Sequence, residues 1–126
     1  MLEDDEIMVS LDIESLFTNV PLTESINYTA DLLYSTDNAP TGIDKATFKE
    51  LLQMVSKDVV ILTHRGYYRQ VDGVAMGSSV GPLLANIFVS QFDADLGSFS
   101  KFYFRYVDDV IRTLKIGGEN FFARFC

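Results

Sequence analysis

The sequence predicts a domain of mixed α/β class (α+β type), with helices packed on one face of an antiparallel sheet. Short runs rich in β-branched and aromatic residues alternate with amphipathic segments of helical period, so strands and helices share one chain. Two pairs of strand-like runs are separated by only a few turn residues, which favours antiparallel hairpins. The 126 residues suffice for one small domain, and a hydrophobic content of 48% is ordinary for a globular core.

The first predicted strand covers residues 7–13, with the sequence IMVSLDI. Its apolar residues are nearly continuous, which is typical of a strand that is covered on both faces. Asp12 is therefore expected at the end of a buried strand. Burying a charge is costly unless the charge is paired or bound to a metal, so Asp12 is a candidate metal ligand.

Two helices are predicted next. Thr23 is expected to cap a helix that carries three apolar residues on one face, namely Ile26, Ala30 and Leu33. Asp44 is expected to cap a second helix. The apolar residues of that helix recur at the spacing of a core-facing stripe, at Phe48, Leu51, Leu52 and Val55.

A hairpin and a glycine-rich loop follow these helices. The runs 59–63 and 67–71 flank a turn that contains His64, the only histidine, for which no catalytic role is expected because no nucleophile adjoins it in sequence. Residues 73–82 then hold three glycines and a proline, so the backbone can approach a ligand closely. Pro82 is expected to open a helix with four apolar residues, at Leu84, Ile87, Phe88 and Phe92.

The second hairpin, formed by runs 102–107 and 110–115, carries Asp108 and Asp109 at its predicted tip. Neighbouring residues on a regular strand point to opposite faces, so only a tight turn would let both carboxylates serve one site. Two adjacent carboxylates repel each other, and Mg²⁺, which is usually held by one or two carboxylates, relieves that repulsion. A solvated Asp-Asp turn without a ligand is the alternative that these residues alone leave open.

Charge and cysteine content restrict the class of protein. No apolar run approaches the ~18 residues of a membrane span, and the acidic N-terminus does not read as a signal peptide. Cys126 is the only cysteine, which excludes an intrachain disulfide and favours an intracellular location. The net charge of −8 argues against a free-standing nucleic-acid binder. Residues 64–126, however, hold 6 acidic and 7 basic residues, so cations are available there to bind phosphates. A solvated surface is the alternative explanation for most of these cations.

Three segments, in this order, resemble the palm domain of reverse transcriptases. Residues 11–17 (LDIESLF) resemble motif A, residues 73–88 resemble motif B, and residues 106–109 (YVDD) resemble motif C. The sequences of residues 15–21 and 68–77 are most similar to those of Penelope-like retroelements. Motif B departs from the family's usual Gly-Ser-Pro and Ser-Pro, because this chain has GSS at 77–79 and Gly-Pro at 81–82.

The resemblance implies an RNA-directed DNA polymerase that transfers nucleotides to a primer 3′-hydroxyl. Asp12 and Asp108 would bind two Mg²⁺ ions, or Mn²⁺, and Asp109 and the backbone carbonyl of Ile13 would complete the metal site. In the family, an aromatic residue five positions after the motif A aspartate screens out ribonucleotides, and Phe17 stands at that position. Further contacts to the deoxynucleoside triphosphate are implied for Ala75, Met76 and Gly77. Contacts to the RNA template and DNA primer are implied for Ser78, Tyr106 and Val107.

The resemblance also implies a palm fragment, residues 1–126, that spans motifs A to C and lacks the fingers and thumb. Such a fragment is expected to be inactive alone, while its parent would work in the nucleus without a membrane partner. Two alternatives stay open. One is a decayed or repurposed palm that only binds nucleic acid or protein. The other is an RNA-templated RNA polymerase, which is disfavoured because those enzymes usually carry a polar residue where Phe17 stands.

Overall fold

The computed structural model describes residues 3–37, 39–57, 59–75 and 77–116. The strands are β1 (Glu6–Asp12), β2 (Val60–Thr63), β3 (Gly66–Arg69), β4 (Tyr103–Tyr106) and β5 (Asp109–Lys115). The helices are α1 (Leu16–Asn19), α2 (Leu22–Tyr34), α3 (Lys45–Ser56) and α4 (Gly81–Ser98). All strand pairs are antiparallel, so the predicted mixed fold class is confirmed.

The chain divides into two compact units, which are described separately below. The sheet unit comprises residues 1–14 and 92–126, and the helical unit comprises residues 15–91. No helix among the described residues combines the length and the hydropathy that a bilayer-spanning segment needs.

The sheet unit contains a three-stranded antiparallel sheet in the order β1-β5-β4. The β1–β5 ladder runs from the pair Glu6↔Lys115 to the pair Asp12↔Asp109. Burial alternates over the first four residues of β5, with Val110 and Arg112 buried and Ile111 exposed between them, whereas the next residue, Thr113, is buried as well. Over residues 109–112 one face of the sheet is therefore covered and the other exposed, a pattern that is common in antiparallel sheets.

The prediction that β1 is covered on both faces is wrong. Ile7 is 45% exposed, Met8 is 59% exposed, and no residue of β1 falls in the buried class. Asp12 is likewise exposed rather than buried. In the part of the chain that the structure describes, β1 pairs only with β5 and lies at one edge of the sheet, so a β-prone, apolar sequence has formed a half-exposed edge strand.

The helical unit is built on α2 and the loop that follows β3. Ile26 and Ala30 of α2 are buried as predicted, and Leu33 is half-buried. α2 packs on α3 through the rings of Tyr34 and Phe48, whose centroids lie 5.8 Å apart. The buried apolar side chains of the unit are those of Leu16, Val20, Leu22, Ile26, Ala30, Val74, Ala75, Leu84, Ala85 and Val89.

The prediction that Thr23 caps α2 is wrong. The helix begins at Leu22, two residues before the start that a cap at Thr23 implies, and its N-cap, Pro21, has no side-chain acceptor. The Leu22 N–H instead donates to Oδ1 of Asp72 at 3.4 Å, so a residue far along the chain supplies the acceptor. The prediction for Asp44 is confirmed, because its Oδ1 accepts from the N–H of Thr47 at 2.9 Å.

The prediction that the apolar stripe of α3 is core is wrong in part. Phe48 and Leu52 are half-buried, but Leu51 is 45% exposed and Val55 is 56% exposed. Helical spacing identifies an apolar face but not the element that covers it. Among the described residues, the contact with α2 covers only part of this stripe.

Two further sequence predictions agree with the structure. β2 and β3 form a hairpin in which Thr63 pairs with Gly66, so His64 and Arg65 make a two-residue loop. α4 begins at Gly81, immediately before Pro82.

Candidate active site

One row of side chains crosses the end of the three-stranded sheet. Asp12 closes β1 and pairs directly with Asp109, the first residue of β5. Asp109 also pairs with Tyr106, the last residue of β4. Directly opposed residues of antiparallel strands project from the same face, so Asp12, Asp109 and Tyr106 share one face at one level. All three are exposed, Tyr106 to 79%.

Val107 and Asp108 form the two-residue turn between β4 and β5. The prediction that both adjacent carboxylates lie at the tip is therefore wrong for Asp109, which belongs to β5. The ladder continues as far as the pair Tyr106↔Asp109 and leaves only two residues for the turn. Tight two-residue turns favour positive φ, and Val107 has φ +57°.

A backbone hydrogen bond joins this turn to the end of β1. The N–H of Ile13 donates to the carbonyl of Asp108 at 3.0 Å. Because Ile13 follows Asp12 directly, this bond and the Asp12↔Asp109 pair bring the ends of motifs A and C together. Residues about 100 positions apart in sequence are thus adjacent at one end of the sheet.

The acidic side chains at this end do not form a ready ligand cluster. Among the described residues, no group of three or more His, Cys, Asp or Glu side chains is placed to hold a metal ion. The donor set itself suits Mg²⁺, because carboxylates and backbone carbonyls are the oxygen ligands that hard cations prefer. The fit to a divalent cation therefore rests on residue chemistry and on strand register.

A charged cluster that the sequence did not suggest adjoins the turn. Arg105 donates from Nε to Oδ1 of Asp93 at 2.8 Å and from Nη2 to Oδ2 of Asp93 at 2.7 Å. Tyr103 donates its hydroxyl to Oδ1 of Asp93 at 2.8 Å. Arg105 also donates from Nη1 to the carbonyl of Val107 at 2.8 Å. The one available sequence signal is the two-residue spacing of Tyr103 and Arg105, which places both side chains on the same face of a strand; it does not indicate Asp93 as their partner.

The pKa values of this cluster follow from its contacts. The hydrogen bonds from Arg105 hold the pKa of the Asp93 carboxyl below its usual value, although partial burial opposes them. The same carboxylate raises the pKa of the Arg105 guanidinium. Burial, followed by the hydrogen bond to Asp93, raises the pKa of the Tyr103 hydroxyl to about 12. At neutral pH the cluster is therefore an ion pair with a neutral phenol.

In the helical unit, the backbone of Phe17 is tied to the glycine-rich loop. The N–H of Val74 donates to the carbonyl of Phe17 at 2.7 Å. Gly73 has φ +78°, and a Cβ added there would lie 2.8 Å from the carbonyl oxygens of both Phe17 and Thr18. Only glycine allows this approach without strain. Phe17 itself is half-buried in the short helix α1.

The other residues with implied nucleotide or template contacts lie along the same loop. Ala75 is buried, and a Cβ at Gly81 would clash with its carbonyl. Ser78 donates its N–H to the Ala75 carbonyl at 3.0 Å, while Gly77 is exposed with open space around it. Met76 lies outside the described residues. The structure thus brings Phe17 and Ala75 to one loop of the helical unit, and Asp12, Asp108 and Asp109 to one end of the sheet unit.

Comparisons with known proteins identify the family and the fold. The family model described as "Reverse transcriptase (RNA-dependent DNA polymerase)" matches residues 2–117. A telomerase structure from Candida albicans, in complex with a fragment of telomeric RNA, shares the fold with a TM-score of 0.65 at 16% identity. An apo telomerase structure from Candida tropicalis, truncated from its C-terminal domain, gives a TM-score of 0.61 at 17% identity. A search of curated proteins finds no match.

The alignments cover unequal parts of the two partners. Each covers 86% of this chain, but only 23% of the C. albicans chain and 24% of the C. tropicalis chain. The chain thus spans about a quarter of the length of the telomerase chains that it resembles.

Proposed function

The chain belongs to the reverse transcriptase family, and from that premise we propose that it is the catalytic palm of an RNA-directed DNA polymerase. The observation that carries this proposal is the pairing of Asp12 with Asp109 at the end of the sheet. Like charges that face each other directly across two strands destabilise a sheet. A site that binds cations gives such a pair a function, and Asp108 lies in the adjoining turn.

In this proposal, Asp12 and Asp108 hold two divalent ions, and Asp109 and the carbonyl of Ile13 complete the site. Mg²⁺ or Mn²⁺ bound there supplies Lewis-acid activation of the primer 3′-hydroxyl and neutralises charge on the triphosphate. The protein's part is to position the carboxylates. It does so through the β1–β5 register and through the bond from the Ile13 N–H to the turn.

In the same proposal, the glycine-rich loop and Phe17 contact the incoming deoxynucleotide. Ala75, Met76 and Gly77 would line the pocket of the incoming deoxynucleotide. The backbone of Phe17 is anchored to Val74, so its ring is carried on a fixed segment. A rigid ring can reject a ribose 2′-hydroxyl by steric exclusion.

The partners of this polymerase would be an RNA template, a DNA primer and deoxynucleoside triphosphates. Ser78, Tyr106 and Val107 are the proposed template and primer contacts. Tyr106 is suited to this because the residue is 79% exposed and pairs with Asp109. The same proposal includes the origin of the polymerase in a Penelope-like retroelement and its action in the nucleus. The sequences of residues 15–21 and 68–77 support it.

One observation favours a second candidate function, a repurposed palm that binds nucleic acid or protein without catalysis. Among the described residues, no three acidic side chains are placed to hold one metal ion. In that case the exposed row of Asp12, Asp109 and Tyr106 would serve contact alone.

A primer-extension assay on the longest reading frame that contains this chain separates the two functions. We expect Mg²⁺-dependent extension on an RNA template, and loss of extension in Asp108→Asn. The 126-residue chain alone should not extend a primer. The carboxylate of Asp108 forms no hydrogen bond or ion pair among the described residues, so the Asp108→Asn variant should have the same melting temperature as the unsubstituted protein. An unchanged extension rate in Asp108→Asn would refute the catalytic assignment.

A further inference from the structure

We propose that Asp93, Arg105 and Tyr103 act together as a positioning clamp that fixes the backbone of the Val107–Asp108 turn. The three residues would have a positioning role, and this role rests on the proposed function. The clamp would not touch substrate. It would set the place of Asp108, and through Asp108 the geometry of the metal site.

The contacts of the Arg105 side chain fix its orientation. Its guanidinium binds both carboxylate oxygens of Asp93 and, through its remaining nitrogen, the carbonyl of Val107. A planar guanidinium that is held at two oxygens has a fixed direction, so its third donor is aimed rather than free to rotate. The Arg105 side chain is only 6% exposed, which shields these bonds from water.

The clamp is anchored by Asp93 on α4. Asp93 lies on α4, a helix of 18 residues, so the carboxylate is carried by a rigid element. Tyr103 donates to the Oδ1 of Asp93 that also accepts from Nε of Arg105. Three donors therefore converge on one carboxylate, and its rotation is restricted. The lowered pKa of Asp93 and the raised pKa of Arg105 keep the pair charged at neutral pH.

The backbone of the turn is held in an uncommon conformation. Val107 has φ +57°, a conformation that is unusual for a β-branched residue and that persists only where the surroundings enforce it. Both carbonyls of the turn are held, that of Val107 by Arg105 and that of Asp108 by the N–H of Ile13. The clamp thus supplies one of the two ties on the turn.

The opposing interpretation is that Asp93 and Arg105 form an ordinary ion pair that only joins α4 to β4. Both interpretations predict some loss of stability when the pair is broken. They differ in which backbone amides exchange faster when the pair is broken, and in whether the Mg²⁺ requirement changes. The test therefore compares local exchange at the turn with exchange at the opposite end of the sheet.

The main variant is Arg105→Lys, which keeps the charge but cannot hold both oxygens of Asp93 and the Val107 carbonyl. Amide hydrogen exchange is measured on the full 126-residue chain without metal. We expect the Ile13 amide, which is bonded to Asp108, to exchange at least about tenfold faster. Amides near the pair Glu6↔Lys115, at the far end of the same ladder, should be unchanged. Tyr103→Phe is the milder variant, and should accelerate the Ile13 amide by about twofold to threefold.

Lys115→Gln is the matched control, because Lys115 forms ion pairs with Glu3 and Asp5 at 3.9 Å at the end of β5 away from the turn. It should leave the Ile13 amide unchanged. Equal acceleration of every sheet amide in Arg105→Lys, or no acceleration at Ile13, would overturn the clamp. The milder Tyr103→Phe keeps this test available if Arg105→Lys does not fold.

A second measurement uses the polymerase that contains this chain. We expect Arg105→Lys to raise the Mg²⁺ concentration for half-maximal extension by about tenfold, with KM for the deoxynucleotide unchanged. An unchanged Mg²⁺ requirement would contradict the clamp. If the parent does not extend a primer, the proposed function fails, and the hydrogen-exchange comparison still decides the clamp.

Discussion

Gly73→Ala is the perturbation that tests most directly how the glycine-rich loop supports Phe17. Gly73 has φ +78°, and an added Cβ would lie 2.8 Å from two backbone oxygens and 2.9 Å from the Cα of Thr18. These neighbours are all backbone atoms, so none can turn aside as a flexible side chain would. The segment that carries Phe17 would have to move.

The magnitude follows from three contributions. A left-handed conformation costs an L-residue roughly 1–2 kcal/mol relative to glycine. Forcing additional atoms into a packed site typically costs about 1–3 kcal/mol more. The lower entropy of alanine in the unfolded chain returns about 0.4–1 kcal/mol. Gly73→Ala should therefore reduce the free energy of unfolding by about 3 kcal/mol.

Gly42→Ala is the control that separates these contributions. Gly42 has φ +82°, close to that of Gly73, but an added Cβ would meet nothing within 4 Å. Both variants share the conformational and entropic contributions, so their difference isolates the clash, at about 1–3 kcal/mol. Urea unfolding of the 126-residue chain gives both values. Equal midpoints for the two variants would show that residue 73 does not approach the Phe17 segment, and would refute the packing argument.

Four other predictions concern single residues. Phe17→Val in the parent polymerase should keep deoxynucleotide incorporation and raise ribonucleotide incorporation about tenfold, or ~1.4 kcal/mol in transition-state free energy; unchanged sugar selectivity would remove the gate role. The pKa of Asp93 is lowered from 3.8, so its stabilisation is present above that pH and lost as the pH falls through the folded value; the melting-temperature gap between the chain and Asp93→Asn should close in acid. The pKa of Tyr103 is raised from 10.0 to about 12, so its neutral form stabilises the fold below pH 10 and this is lost as the pH rises through about 12; ultraviolet titration should find one late-ionising tyrosine, absent in Tyr103→Phe. Asp44→Ala should lower the melting temperature by a few degrees, and Asp44→Ser should restore it, because serine also caps helices.

Local features of the fold were predictable because their causes lie within a few residues. Asp44 caps α3 through Thr47, three residues away, and the β2–β3 hairpin closes over two residues. Asp72, in contrast, accepts from the Leu22 N–H across 50 positions of sequence. A cap from so far away leaves no local pattern, so the nearer Thr23 was predicted instead.

Burial was harder to predict than secondary structure, because it depends on what packs against each face. The β-prone run at 7–13 and the apolar stripe of α3 both formed the predicted element. Ile7, Met8, Leu51 and Val55 are nevertheless exposed. Their sequences specify which face is apolar, but contacts between distant segments decide whether that face is covered.

The candidate site shows the same division. Sequence alone could identify Asp12, Asp108 and Asp109 as acidic residues at the ends of strands, and the resemblance gave them a role. The sequence could not predict the register that pairs Asp12 with Asp109, nor the contact of Arg105 with Asp93. Those contacts form only when β1 and α4 are assembled with the β4–β5 hairpin.

The adjacent carboxylates of motif C are controlled by different forces, and this explains why a clamp is needed at only one of them. Asp109 is the first residue of β5, so its position is set by ladder pairs with Asp12 and Tyr106 on either side. Asp108 lies outside the ladder, and its position depends on the backbone of a turn in which Val107 adopts an unfavourable φ. Without its ties, that turn could relax toward a commoner conformation and carry Asp108 away while Asp109 stayed in place. The hydrogen bond from Arg105 to the Val107 carbonyl acts within this turn, where ladder pairs do not fix the backbone.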